Sequence, residues 1–118
     1  MALAACTSQS DALQQHQEKL ESLGASSAAI AEAWLGDTVS SKYTSTALEQ
    51  IYQLVEQERT ALAARPQALA DARGAYLSAA AERLSRLLAV MMQDVAHGDP
   101  AALRDHASKI PILPQPQS

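Results

Sequence analysis

The chain has no phenylalanine, one tryptophan and three tyrosines, so aromatic residues make up only 3% of its 118 positions. That scarcity argues against a strand-rich fold, which favours aromatic and β-branched side chains. A single cysteine, Cys6, excludes an internal disulfide. The four glycines stand apart at positions 24, 36, 74 and 98, so there is no glycine-rich loop to cradle a phosphate. Long apolar runs are absent too. The longest local one, Leu87 to Met92, falls far short of the ~18 residues of a membrane span. Positive charge is in deficit, with 9 Lys and Arg against 13 Asp and Glu and a net charge of −4. Nonspecific nucleic-acid binding needs a basic face. The arginines at 59, 65, 73, 83 and 86 are offset by Glu58, Asp71 and Glu82.

What remains is rich in alanine and leucine, both strong helix formers. The length suits one domain with its own core. Leu13, His16, Leu20, Leu23, Ser27, Ile30 and Trp34 alternate at three- and four-residue steps, which makes one seam on a first helix. Ser8 or Ser10 offers a cap at its start, Gly24 and Ser26-Ser27 a kink, and Gly36 a stop. Residues 37–44 read as a loop. Thr46 and Glu49 form a capping box for a second helix, with Thr44 and Ser45 as competing caps. Leu48, Ile51, Leu54 or Val55, and Leu62 make its seam, and Glu49, Glu56, Glu58 and Arg59 fall on its other faces. Residues 66–74 read either as the first turns of a third helix, with Pro66 at its first position, or as a connector ending at Gly74. From Tyr76 the pattern is strong through Val95, and His97-Gly98 ends it. Asp99-Pro100 opens a short last helix to about Lys109. The expected fold is all-α, an up-down antiparallel bundle of three long helices plus a short C-terminal fourth. Its parts are a leader remnant and polar tether at 1–10, the bundle at 11–109, and a Pro/Gln-rich disordered tail at 110–118.

No catalytic constellation stands out. There is no HExxH, no Gly-x-Ser-x-Gly and no Cys-His cluster. His16, His97 and His106 are the only histidines, and His16 sits on the apolar seam as a half-buried or bundle-end residue. A di-iron bundle would need Glu-x-x-His motifs. Asp94-Val-Ala-His97 has that spacing but appears once, at a helix end. Glu18, Glu21, Glu56, Glu58 and Asp94 therefore read as solvated faces, and Met91-Met92 as core filler. Neither a metal site nor a cofactor is expected, a haem- or metal-binding periplasmic bundle being a remote alternative. Trp34 and Tyr43 flank the first connector and mark a possible interface.

Leu3-Ala4-Ala5-Cys6 resembles the lipobox of bacterial lipoproteins: a leucine, two small residues and a cysteine. The resemblance implies a diacylglycerol on the Cys6 thiol and cleavage just before it. Thr7-Ser8-Gln9-Ser10 is similar to the polar tether that follows such a cysteine. Only Met1-Ala2 precede the box, so the implied signal peptide is truncated here. Thr7, where an aspartate would retain the protein in the inner membrane, implies the periplasmic face of the outer membrane in a Gram-negative envelope. The expected function is that of a noncatalytic envelope lipoprotein, a helical interaction or scaffold module. It would be membrane-anchored and would bind a protein partner or itself, with no nucleic acid and no identified small-molecule substrate. The alternative is a soluble bundle that self-associates or completes a coiled coil.

Overall fold

The computed structural model describes the backbone of residues 2–111 and, within it, the side chains of residues 11–67 and 70–111. Every element is a helix: α1 (Ala2–Leu35), α2 (Ser41–Ala63), α3 (Pro66–Ala70), α4 (Ala72–Ala96) and α5 (Pro100–Ala107), with no strand among the described residues. The fold is an all-α helical bundle. It is rod-like, measuring 54 × 27 × 19 Å. Residues 112–118, where most of the expected tail falls, lie outside the described residues. So do the side chains of Cys6 and of the suggested caps Ser8 and Ser10.

α1 runs unbroken for 34 residues from Ala2, beginning upstream of those caps. The helix continues without a break through Gly24 and Ser26-Ser27, the stretch expected to weaken it. The buried Ser27 hydroxyl donates to the Leu23 carbonyl at 2.7 Å, which satisfies it within the helix. Gly24 is buried, and a Cβ built on it would stand 3.3 Å from Ile110 Cγ2. The glycine is thus a seat for the segment after α5 rather than a break. At the end of α1 it is Asp37, not Gly36, that takes the left-handed conformation, with φ 58°. Thr38 N–H then donates to the Ala33 carbonyl and Asp37 N–H to Trp34, which satisfies the last turn.

α2 starts earlier than the Thr46–Glu49 box suggests. Ser40 is extended and its hydroxyl accepts from Tyr43 N–H, so it caps the helix. Thr44 lies inside the first turn and donates to the Ser40 carbonyl at 2.8 Å. The ambiguous stretch 66–74 is helical on both sides of one break. Pro66 opens a separate short α3, Asp71 interrupts the helix and caps α4 by accepting from Arg73 N–H, and Gly74 lies inside α4 rather than ending a connector. Gly98, with φ 65°, turns the chain out of α4, and Asp99 caps α5.

The core has two parts. The larger gathers Ala31 from α1, Leu48, Ile51 and Val55 from α2, Leu84, Leu88, Met91 and Val95 from α4, and Leu103 from α5. The smaller joins Leu13 and Leu20 to Leu62, Leu77 and Ala81. α2 and α4 share the most extensive packing, and α1 lies against α2, α4 and α5. Of the α2 candidates, Val55 is buried and Leu54 is 46% exposed.

Candidate interaction surface

The carboxylates assigned to solvated faces are not all there. Glu58 and Asp94 are 7% and 8% exposed, and each meets a histidine. His16 Nδ1 on α1 forms a short hydrogen bond to Glu58 Oε2 on α2. His106 Nδ1 on α5 contacts Asp94 Oδ2 on α4 at 2.6 Å. An ionised carboxylate only accepts, so in both pairs Nδ1 carries the proton. Lys19 Nζ adds a second partner to Glu58 at 3.5 Å. The missed signal was positional. Glu58 continues the Leu48-Ile51-Val55 seam toward Leu62, and an acid in a seam needs a buried partner. His16 sits on the facing seam of α1, half-buried as read.

Two further polar clusters tie helices together. The Arg73 guanidinium on α4 reaches α1, donating to Gln14 Oε1 at 2.6 Å and Gln17 Oε1 at 3.0 Å. Between α2 and α4, the Ser85 hydroxyl donates to Glu56 Oε1 at 2.5 Å, and Arg59 Nη1 donates to the same carboxylate at 2.8 Å. The Ser85 hydrogen bond is the main influence holding the Glu56 carboxyl below its ordinary pKa; partial burial opposes it, and Arg59 and Tyr52 reinforce it. These contacts are satisfied helix-to-helix ties. Among the described residues, no three or more His, Cys, Asp or Glu side chains gather as a metal site would require.

Trp34 closes α1 and Tyr43 stands in the first turn of α2, on either side of the 36–40 connector. Trp34 is half-buried against the larger core, and its indole N–H donates to Ser41 Oγ at 2.9 Å. Tyr43 is 58% exposed. Tyr43 also heads a row along α2 (Ala47, Gln50, Leu54, Gln57 and Ala61 follow at alternating steps of four and three) in which every residue is exposed or half-exposed. On α1, Gln15, Lys19, Ser22, Ser26, Ala29 and Ala33 repeat the same spacing. The two rows flank a groove of about 260 Å³ lined by Lys19, Ser22, Leu23, Leu54, Gln57 and Glu58. This groove was not expected from the sequence, because the α1 row is too polar to register as a seam.

No known protein family, no curated protein and no solved structure matches this chain.

Proposed function

We propose that this protein is a noncatalytic bacterial envelope lipoprotein, held to the membrane through Cys6, whose helical bundle acts by binding protein. The observation that carries the anchor is the Leu3-Ala4-Ala5-Cys6 resemblance at the only cysteine of the chain. Two or three acyl chains give stable membrane attachment where one does not. In a Gram-negative envelope, Thr7 directs it to the periplasmic face of the outer membrane. The pairs His16–Glu58 and His106–Asp94 tie helices together, and the exposed Leu54 with its groove supports surface contact as the mode of action. An up-down arrangement of the long helices belongs to this reading, and two contacts support it: Trp34 meets Ser41 across a short connector while His16 meets Glu58 farther along. Sequential helices joined by short connectors favour that topology.

The deciding experiment expresses the gene with its natural upstream sequence, beside Cys6→Ala. Membrane retention and an added acyl mass on the wild type, both lost in the variant, are the expected result. An unmodified, soluble wild type indistinguishable from the variant overturns the anchor. That outcome would favour the second reading, a soluble bundle acting by association, for which the exposed Leu54 and its groove speak.

A further inference from the structure

We infer that the partner of the α1/α2 face is a second copy of this chain, which names the partner within the interaction reading above. The face stands out by its charge. Across the rows from Gln15 to Ala33 and from Tyr43 to Ala61, the acidic and basic side chains at the seam are Lys19 and Glu58, which are opposite in sign and 3.5 Å apart. Glu18, Glu21 and Glu32 on α1, and Glu49, Glu56 and Arg59 on α2, lie off these rows. Two copies each carrying −4 repel wherever their acidic surfaces meet. This face brings no net charge to the contact.

The face is also self-complementary. A two-fold contact needs a projection and its receptacle on one patch. Leu54 is the projection, 46% exposed. The receptacle is the groove beside it, edged by Ser22 and continued by Ser26 and Ala29, small side chains that admit close approach. Leu54 and Ser22 line the same groove, so they stand level along the rod. A two-fold axis parallel to the rod therefore sets each Leu54 onto the partner's α1 at that level. This arrangement puts both copies of the α1 start at the same end, as two chains anchored in one membrane require. Each row extends about 27 Å at 1.5 Å per residue, and two helices span about 20 Å. The footprint of roughly 500 Å², before side-chain relief, is below the ~800 Å² per partner of a standard interface. The pairing is accordingly weak in solution. Confinement to a membrane raises the effective concentration and drives it.

Sedimentation equilibrium of the full chain carrying Cys6→Ser, which removes disulfide artefacts, tests this. A concentration-dependent dimer is expected. Leu54→Glu and Ser26→Lys each weaken it by about tenfold or more, corresponding to a loss of ~1.4 kcal/mol. Ala79→Glu, on the exposed side of α4, leaves it unchanged. Both face positions are exposed, so the variants keep the helical circular dichroism of the parent. A chain that stays monomeric to near-millimolar concentration overturns the pairing, as does a dimer indifferent to both face substitutions. Acylation and fractionation read the anchor separately. A monomer that is still membrane-retained sinks only the pairing; a dimer without acyl mass sinks only the anchor.

Discussion

Removing His16 should reveal what the buried carboxylate of Glu58 costs the fold. The two side chains are 13% and 9% exposed, and they join α1 to α2. Replacing His16 with leucine keeps the bulk and deletes the donor, leaving Glu58 ionised against apolar surface. Stranding one member of a buried pair costs about 3–5 kcal/mol. Lys19 remains at 3.5 Å, but its side chain is 67% exposed and water competes for it. The expected loss is therefore about 2–3 kcal/mol for His16→Leu. A chain of this size loses about 4 °C of Tm per kcal/mol, so the melt should fall by about 8–12 °C. The double variant His16→Leu/Glu58→Leu removes the stranded charge and buries two apolar side chains. Replacing a buried pair with apolar residues is often neutral or stabilising by about 1–4 kcal/mol. The double variant should melt at or above the wild type, a coupling of at least about 2 kcal/mol. Thermal melts by circular dichroism at neutral pH and low protein concentration read His16→Leu, Glu58→Leu and the double variant beside the wild type. A cost under about 0.5 kcal/mol for His16→Leu alone, or a double variant as unstable as the two single losses added, would mean that His16 does not compensate the Glu58 carboxylate.

Glu56 should shape the acid limb of stability. Its folded pKa lies below the ordinary value, so between the two values the unfolded chain binds more protons and stability rises with pH. That contribution is complete above the ordinary glutamate range and disappears as pH falls through the lowered value. Ser85→Ala should move the Glu56 carboxyl resonance titration upward in NMR, and Glu56→Gln should flatten that part of the acid limb; an unmoved titration would contradict the assigned cause. At the end of α1, Asp37 holds a left-handed φ of 58°, where glycine is unstrained. The left-handed strain of about 1–2 kcal/mol, less the backbone entropy of about 0.4–1 kcal/mol that glycine adds to the unfolded chain, leaves Asp37→Gly stabilising by about 0.5–1 kcal/mol, which raises Tm by about 2–4 °C; a fall in Tm would count against the strain.

The seams were legible because apolar spacing reports directly on packing. Leu13, Leu20, Leu48, Ile51, Leu62, Leu84 and Leu88 are buried where their spacing put them. The ends of the helices were less so. Several hydroxyls compete for the cap of α2, and Ser40 prevails because the chain is already extended there. Gly36 looked like the natural stop, but the next residue takes the left-handed turn. Local composition suggested a kink at Gly24, whereas its role comes from Ile110, which no local window contains. Glu58 and Asp94 were placed in solvent by their charge alone. Their burial depends on His16 and His106, partners that only the packed helices bring within reach. The α1/α2 face escaped notice for a related reason. Serine and alanine at heptad spacing carry little hydrophobic signal, and they acquire meaning only beside Leu54.

The seat of Ile110 on Gly24 imposes an order on events during synthesis. α2 and α4 lie close in sequence and share the most extensive packing, so they can collapse onto one another as soon as α4 has emerged. α1 can lie against both of them by then, yet one part of its surface stays open. Its glycine seat stays vacant until α5 and the residue beyond it have left the ribosome, because no earlier side chain occupies that position. Among the described residues, the approach of Ile110 to Gly24 is thus one of the last native contacts to form along a growing chain. When the folded protein opens locally, the same contact, at the far end of its sequence, is the one whose release uncovers α1 at Gly24.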